Sequence, residues 1–303
     1  MTSVLVHLAS GIGNVVLATP LLIALDRLGL AVDVVLDADY ADTADLLRGW
    51  AIVRAVVDDR SRGSYDAIVA AVPPFYWARF AKRYRRETRT VPRPPDALFY
   101  TDEQEYYVTF ARRLGFVGAR PTCALPIGPS DRFGVGGSTV VLAPGCKSGE
   151  MSAKRWPGFA ELAARFDDVA VVGMPDDLRV DGRPLALPRH ARSFVGALGL
   201  RDTAELLATA GVVVANDSGL AHVSAAVGTP TVIIFGPTPH QTLGALPPNA
   251  SVVRAGLPCE PCWFSGARFA ACARRIDCLR DVSVDLIERQ VRALQRTREV
   301  VAC

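Results

Sequence analysis

Polar residues follow an apolar, strand-like run, Val212–Ala215, at the point where a helix of small residues begins. They are Asp217, Ser218 and Gly219, with His222 one helical turn further along the chain. In an open parallel sheet, ligands bind beyond the carboxyl ends of the strands, where the first turn of a helix offers free N–H groups and partial positive charge. These residues therefore favour a phosphate site. The alternative is that Asp217 or Ser218 is only an N-cap and His222 makes structural contacts within the helix.

A second loop at a predicted strand end carries cationic side chains. The stretch APGCKSGEMSAKRWPGFAELA begins at Ala143 and contains Lys147, Lys154 and Arg155. An ammonium group at Lys154 can neutralise a diphosphate that lies across two strand ends. Taken alone, Lys154 also fits a solvated surface charge. Two such loops at neighbouring strand ends favour a diphosphate ligand.

The amino-terminal loop GIGN, Gly11–Asn14, joins an apolar strand to a helix. Gly11 and Gly13 let a substrate approach the backbone and the amino terminus of that helix. The loop lacks the third glycine of a dinucleotide fingerprint, and no acidic residue is clearly placed for a ribose. A nicotinamide-dependent oxidoreductase is therefore the least favoured function.

Apolar, strand-like runs alternate with helical segments in two successive sets along the chain. These elements must position the three loops. The predicted strands are Ser3–Ala9, Val32–Leu36, Ala51–Val57 and Ala67–Val72, then Val140–Ala143, Val169–Gly173, Val212–Ala215 and Thr231–Phe235. Continuously apolar strands in β-α-β order indicate parallel sheets that are covered on both faces. The sequence thus predicts an α/β fold of two Rossmann-like domains with parallel sheets facing a cleft, divided near Pro121–Gly137.

Helical patterns lie between and after these strands. They cover Val15–Leu28, Gly158–Phe166, Thr203–Ala210 and Val284–Arg298, with Ser283 as the expected N-cap of the last helix. Pro20 should bend the first helix or occupy a position where its missing N–H needs no partner.

Composition limits the remaining classes. The chain has 303 residues, half of them apolar, and a net charge of +3, which gives no argument for nucleic acid. Its amino terminus has no basic segment before the apolar run, so it does not resemble a signal peptide. No apolar run is long enough to span a bilayer. We expect a soluble, cytoplasmic protein.

Four cysteines near the carboxyl terminus form the pattern C-x2-C-x9-C-x5-C. They are Cys259, Cys262, Cys272 and Cys278. The first pair has a spacing typical of zinc ligands, and the second spacing is wider than usual. A structural zinc site and a set of reduced packing thiols both stay open.

A basic run, RFAKRYRRETRTVPRPP, covers Arg79–Pro95. It is compatible with a solvated helix face and linker. It also fits a surface that meets an anionic acceptor, a phosphorylated glycan or a membrane face.

Together these motifs resemble the heptosyltransferase family, glycosyltransferase family 9. The matching blocks are GIGNVVLATPLLIAL, PGCKSGEMSAKRWPGFAEL, NDSGLAHVSAAVGTPTVIIFGPT and PCEPCWFSGARFAACARRIDCLRDVSVDLI, in family order. The resemblance implies a GT-B fold with an acceptor-side domain, 1–128, and a donor-binding domain, 129–283. It also implies that the final helix, 284–303, packs back onto the first domain.

The resemblance further implies roles for particular residues. Lys154 would contact the phosphates of a nucleotide-diphosphate sugar, typically ADP-heptose. Asp217, Ser218, Gly219 and His222 would line the diphosphate and the proximal sugar. Asp176 is a looser match to an acid that binds ribose, and Leu198 would lie against the base unless it belongs to the aliphatic core. No metal or other cofactor would be required for the chemistry.

Asn14 departs from the family pattern, which has an aspartate here that acts as general base. An amide cannot take a proton as a carboxylate does. Three interpretations stay open. Asn14 orients the acceptor while Asp39, Asp42 or water takes the proton; the acceptor is an amine, which needs less help; or the chain binds without turnover.

The leading hypothesis is an inverting glycosyltransferase that moves heptose from ADP-heptose to a lipopolysaccharide-core glycan, a lipid-linked acceptor or a small molecule. A nucleotide-sugar epimerase and a non-catalytic nucleotide-sugar binding protein are the alternatives. We expect no nucleic-acid partner, and peripheral contact with the inner face of the cytoplasmic membrane fits the basic run. The sequence leaves the oligomeric state open.

Overall fold

The chain forms two units, one from Met1–Pro126 with Gln241–Leu246 and one from Ile127–His240 with Pro247–Cys303. The structure is a computed structural model. It describes residues 2–58, 64–84, 88–147, 154–180, 182–263, 272 and 276–302. The first unit ends two residues before the predicted boundary between residues 128 and 129. The sequence patterns did not predict that the later segment Gln241–Leu246 also belongs to the first unit.

The first unit is built on a four-stranded parallel sheet in the order β3-β2-β1-β4. Its strands are β1 Ser3–Leu8, β2 Ala31–Leu36, β3 Ala55–Val57 and β4 Ala67–Ala71. The central strand β1 is buried along almost its whole length. Its apolar residues on both faces are covered, which explains why it shows no polar alternation in the sequence.

The helices of the first unit are α1 Ile12–Leu17, α2 Thr19–Arg27, α3 Ala44–Leu47, α4 Trp77–Tyr84, α5 Asp96–Phe99 and α6 Glu103–Arg113. The single helix predicted over Val15–Leu28 is therefore two helices that meet at Ala18. Pro20 lies in the first turn of α2, where its missing N–H leaves no intrahelical bond unmade. The local chemistry of proline thus explains the break.

The second unit is built on a six-stranded sheet in the order β12-β11-β10-β5-β6-β9, with every pair parallel. Its strands are β5 Val140–Ala143, β6 Val169–Val171, β9 Arg192–Ser193, β10 Val212–Asn216, β11 Thr231–Ile234 and β12 Ala250–Val253; β7 Arg179–Val180 and β8 Arg183–Pro184 form a separate antiparallel pair. Strands β5 and β10 are direct neighbours, with Ala143 opposite Ala215. The loops that follow them therefore begin at the same edge of the sheet.

The helices of the second unit are α7 Phe159–Ala163, α8 Leu200–Thr209, α9 Gly219–Ala226, α10 Asp277–Arg280 and α11 Val284–Ala302. The backbone N–H of Leu286 donates to Ser283 Oγ, so the predicted N-cap of the last helix is confirmed. We expected this helix to pack on the first unit. Within the second unit α11 contacts α7, β10 and β11, and its apolar stripe places Ile287 and Val291 in the core of that unit. The packing of this helix on the first unit stays a prediction.

The predicted α/β class with two parallel sheets is confirmed by this architecture. Within the described ranges, no helix combines the length and the apolar character that a membrane crossing requires. The two sheets place the three glycine-containing loops of interest at carboxyl strand ends, after β1, β5 and β10.

Candidate functional site

Lys154 and Asp217 meet beyond the carboxyl ends of β5 and β10. Lys154 Nζ lies 2.6 Å from Asp217 Oδ2 and donates a second hydrogen bond of 3.0 Å to the Asp217 carbonyl oxygen. The side chains of Lys154 and Asp217 are only 7% and 12% exposed. The structure thus brings together the two loops that the sequence analysis placed at neighbouring strand ends.

Asn216, the last residue of β10, explains how the lysine is held. Its side chain is fully buried; Oδ1 accepts from the backbone N–H of Trp156 at 2.9 Å, and Nδ2 donates to the Pro144 carbonyl at 2.6 Å. Both partners belong to the loop that follows β5. The Asn216 amide therefore joins the end of β10 to the loop that follows β5, through Pro144, which precedes Lys154 in the chain, and Trp156, which follows it. The sequence analysis did not assign this role.

Two further side chains lie against the Asp217 carboxylate. Thr238 Oγ1 donates to Asp217 Oδ2 at 2.6 Å, and His222 Nε2 lies 3.8 Å from Asp217 Oδ1. Burial raises the pKa of Asp217, but Lys154 and His222 lower it by more, so the net pKa lies well below the usual range. Asp217 is therefore a carboxylate at neutral pH and balances the charge of Lys154. Thr238 is a second participant that sequence reasoning missed.

Helix α9 begins at this place. Ser218 occupies the N-cap position with extended backbone, φ −153° and ψ 171°, but its side chain makes no capping hydrogen bond. Asp217, the other N-cap candidate, uses its carboxylate for Lys154 and Thr238. Ser218 and Gly219 are half-buried and His222 is buried. The first turn of α9 is thus available to an anion through its backbone N–H groups.

Arg155 links the loop after β5 to the loop after β6. Its guanidinium donates to the Asp176 carbonyl at 2.6 Å and contacts Asp177 Oδ1 at 3.1 Å. Asp177 Oδ2 also accepts from the backbone N–H of Met174 at 2.8 Å. Asp176, the candidate ribose ligand, has an exposed side chain in this loop. Leu198, the candidate base contact, is half-buried just before α8.

In the first unit, the loop after β1 leads into α1 with Gly11 at the N-cap and Gly13 and Asn14 in the helix. Asn14 is half-buried, and its Oδ1 accepts from Ser10 Oγ at 2.9 Å. Its Nδ2 donates to Glu103 Oε1 at 2.6 Å. The position where the resemblance implies an aspartate is therefore in contact with a carboxylate from α6.

Glu103 is a residue that sequence reasoning missed. It is 6% exposed although it is charged, and Tyr107 OH, one turn along α6, donates to its Oε1 at 3.3 Å. The signal was an acid on the stripe that also carries the apolar residues Tyr107 and Phe110. Of the bases that the sequence suggested, Asp39 pairs with Arg79 at 3.0 Å and Asp42 is exposed.

The basic run is partly neutralised by acids of the same unit. Arg79 pairs with Asp39 at 3.0 Å, and Arg93 pairs with Asp96 at 2.7 Å. Residues 85–87 of the run lie outside the described part of the chain. The pairing lowers the net positive charge that the amino-acid composition of the run suggests.

The four cysteines of the C-x2-C-x9-C-x5-C pattern line one pocket of the second unit. They are Cys259, Cys262, Cys272 and Cys278, beside Pro237 and Ile276. Burial raises the pKa of the Cys278 thiol to about 12, with Glu260 and the other three cysteines contributing in the same direction. Among the described residues, no group of three or more His, Cys, Asp or Glu is arranged to hold a metal ion. In the described part of the chain, the structural-zinc alternative that the sequence left open therefore has no formed ligand set.

Known proteins match the chain over different extents. Residues 129–271 match the model of glycosyltransferase family 9 (heptosyltransferase). The lipooligosaccharide heptosyltransferase 2 of Haemophilus influenzae is 37% identical over 125 residues, which are 37% of this chain and 35% of the relative. The chain thus covers about a third of the length of this curated relative.

Solved structures match nearly the whole chain. A glycosyl transferase family 9 protein from Veillonella parvula has a TM-score of 0.75 at 17% identity, covering 98% of both chains. The E. coli ADP-heptose LPS heptosyltransferase II has a TM-score of 0.72 at 18% identity, covering 99% of this chain and all of that chain. The iron-containing dodecameric glycosyltransferase TibC of enterotoxigenic E. coli has a TM-score of 0.71 at 16% identity, covering 98% of this chain and 76% of that chain.

The two parallel α/β units and these structural matches define the GT-B fold, which confirms the fold that the sequence resemblance implied. The resemblance to the heptosyltransferase family, glycosyltransferase family 9, is confirmed as well. Its sequence match falls mainly in the second unit, which contains Lys154 and Asp217.

Proposed function

We propose that the chain is an inverting glycosyltransferase that transfers heptose from ADP-heptose to a glycan of the lipopolysaccharide core. The observation that carries this proposal is the Lys154–Asp217 pair beside the open first turn of α9. An ammonium group and a helix amino terminus at adjacent strand ends form a site for a diphosphate. The heptosyltransferase relatives support the choice of sugar and nucleotide.

The proposed chemistry is displacement at the anomeric carbon with inversion. The bond between the anomeric carbon and the diphosphate breaks, and negative charge grows on the departing phosphate. Lys154 and the N–H groups of Ser218 and Gly219 would stabilise that charge, because they are already fixed in place before the reaction. Asn216 would contribute by holding the lysine loop. These residues neutralise a leaving diphosphate without a metal or other cofactor.

The acceptor is proposed to bind the first unit at the loop that contains Gly11 and Asn14. Asn14 is half-buried, so one part of it faces solvent while its amide contacts the protein. We also propose that the acceptor is anionic.

A further proposal is that the protein contacts the cytoplasmic face of the membrane peripherally. Co-sedimentation with vesicles of phosphatidylglycerol, compared with phosphatidylcholine vesicles, tests this membrane contact. Equal recovery of the protein in the two pellets would contradict it.

The experiment that tests the function has two stages. Calorimetric titration with ADP-heptose, ADP-glucose and UDP-glucose should show tightest binding for ADP-heptose. Release of ADP is then measured with ADP-heptose and O-deacylated lipopolysaccharide that lacks its outer heptose. Release that depends on the acceptor supports transfer. Conversion of ADP-heptose without acceptor would indicate the epimerase, which the comparisons do not favour, and binding without any conversion would indicate the non-catalytic protein.

A structural metal at the four cysteines is a separate proposal, which concerns stability and not the reaction. It is supported by the shared pocket of the four thiols and by the description of TibC as iron-containing. The arrangement of the described residues speaks against it. Elemental analysis of protein purified without chelators decides: about one metal ion per chain supports the metal, and a metal-free protein supports packing cysteines.

A further inference from the structure

The buried carboxylate of Glu103 contacts the side-chain amide of Asn14. The distance from Asn14 Nδ2 to Glu103 Oε1 is 2.6 Å, although 89 positions separate the two residues in the chain. Asn14 is half-buried and Glu103 is 6% exposed. A carboxylate of another helix thus contacts the amide at the position where the family resemblance implies an aspartate.

The oxygen and the nitrogen of the Asn14 amide both make hydrogen bonds with protein side chains. A carboxylate only accepts hydrogen bonds, so the amide nitrogen must face Glu103, and Oδ1 must face Ser10 Oγ at 2.9 Å. With this orientation Asn14 binds the carboxylate and fixes its direction. Asn14 itself offers no basic atom.

Glu103 is held in place by the start of α6. Asp102 is the N-cap of this helix. Its carboxylate accepts a hydrogen bond of 2.9 Å from the Glu105 N–H and bonds of 2.6 and 2.7 Å from Arg120 Nη1. Gln104 Nε2 donates to two carbonyls of the segment Gln241–Leu246, which belongs to the same unit. The residues on either side of Glu103 are therefore anchored, and the first turn of a helix favours negative charge.

We propose that Glu103 is the general base of this enzyme, supplied by α6 in place of the aspartate that Asn14 replaces, and that Asn14 is its positioning residue. This inference rests on the proposed glycosyl transfer. The O–H bond of the acceptor breaks, and its proton moves to the Glu103 carboxylate. The oxygen lone pair forms the new bond to the anomeric carbon. The bond between the anomeric carbon and the diphosphate oxygen breaks, and its electron pair leaves with ADP.

Two titratable groups of the described residues lie near Glu103 and do not compete for this role. They are Tyr107 on the same helix and Cys123 from the segment that follows it. Burial raises the pKa of Tyr107 well above its usual value, and Glu103 adds to the rise. Burial also raises the pKa of Cys123 to about 12. Both groups therefore stay protonated at neutral pH, and the acid side of the pH–rate profile should report the Glu103 carboxylate.

The first test is Glu103→Gln, which keeps the size of the side chain and its contact with Asn14. ADP release with ADP-heptose and the O-deacylated lipopolysaccharide acceptor should fall about 100-fold or more, the usual effect of losing a general base. The affinity for ADP-heptose should not change. The matched control is Glu105→Gln, two residues along α6 and paired with Arg112 at 2.6 Å, which should keep near-normal turnover.

The second test exchanges the two groups. In the double variant Asn14→Asp with Glu103→Gln, one carboxylate and one amide remain, in the family's arrangement. Turnover should recover at least about tenfold over Glu103→Gln, and the acid limb of the pH profile should return. In Asn14→Asp alone, two adjacent carboxylates share a proton, so the acid limb should move to higher pH. This single variant retains Glu103 and serves if Glu103→Gln does not fold.

The outcomes separate the inference from the proposed function. If the wild-type protein turns over and Glu103→Gln retains its rate and pH profile, Glu103 is not the base, although the glycosyl transfer stands. A double variant no faster than Glu103→Gln, or an unshifted profile in Asn14→Asp, also contradicts the inference. If the wild-type protein binds ADP-heptose but never releases ADP, the proposed transfer fails and Glu103 has no reaction to serve.

Discussion

The ammonium group of Lys154 and the carboxylate of Asp217 are 2.6 Å apart and almost fully buried. A lysine in the absence of a ligand usually samples many conformations, and this one is held by a charged partner and by the carbonyl of the same residue. The pair has little net charge. An arriving diphosphate would therefore depend on the direction of the Lys154 N–H bonds and on the α9 amides as much as on overall attraction.

The first prediction concerns pH and stability. The pKa of Asp217 lies well below its ordinary value of 3.8 in the folded protein. The stability that this carboxylate contributes is therefore fully present above the unfolded-state pKa and is lost as the pH falls from there toward the folded-state pKa. Urea unfolding of the wild-type protein should show a free energy that decreases below about pH 4.

The variant Asp217→Asn checks the assignment, because an amide cannot titrate. Its unfolding free energy should be lower at pH 7 and should fall less steeply below the same pH. Asp33, whose pKa is lowered by its hydrogen bond with Arg54 despite the opposing effect of burial, contributes in the same direction, so Asp33→Asn in the first unit should also lose stability less steeply at low pH. Identical pH slopes for the wild-type protein and Asp217→Asn would refute the prediction.

The second prediction concerns Asn216. The change Asn216→Asp replaces the donor that faces the Pro144 carbonyl with an acceptor and buries a charge. The unfolding free energy should fall by roughly 3 kcal/mol, and Asn216→Ala should lose less. Denaturant unfolding followed by circular dichroism measures both. If Asn216→Asp were as stable as the wild-type protein, the two strand ends would not depend on this amide.

The third prediction concerns Gly145, which follows β5. A Cβ atom at Gly145 would overlap the carboxyl group of Asp177, which is held by the Met174 N–H and by Arg155. Gly145→Ala should lower the unfolding free energy by about 1–3 kcal/mol, because the carboxyl group must leave its partners. Gly137→Ala is the matched control, since a Cβ there would meet nothing within 4 Å. Equal stability of the two variants would show that Asp177 relocates freely.

Much of the fold was predictable because buried parallel strands carry a strong local signal. Val140–Ala143 forms β5 with the predicted bounds. Val32–Leu36 lacks only the first residue of β2. The strand predicted at Ala51–Val57 is shorter, since β3 begins at Ala55. Strand β12 at the sheet edge was not predicted, because its residues are mostly half-buried and carry little periodicity.

The site was predictable where charged residues directly follow predicted strands. It was not predictable where it depends on contacts between residues far apart in the chain. Lys154 and Asp217 follow strands whose neighbourhood the β-α-β order implies. Glu103 reaches Asn14 only through the packing of α6, which no local pattern fixes. Thr238 follows a different strand, β11, and its contact with Asp217 is likewise tertiary. Sequence patterns therefore located the charged centre and missed the side chains that orient it.

If Lys154 and the amino terminus of α9 together bind a pyrophosphate, replacing the lysine must weaken the binding of ADP-heptose, which titration of Lys154→Ala measures. Because a hydrogen bond from a charged group contributes about 1.5–3 kcal/mol, the dissociation constant should rise about 10- to 100-fold. Lys147→Ala, which removes the exposed lysine of the same loop, should bind as the wild-type protein does. Thermal unfolding must show that Lys154→Ala is folded at the temperature of titration, since the change leaves Asp217 without its cation. A folded Lys154→Ala protein that binds ADP-heptose with unchanged affinity would show that the diphosphate does not bind at Lys154.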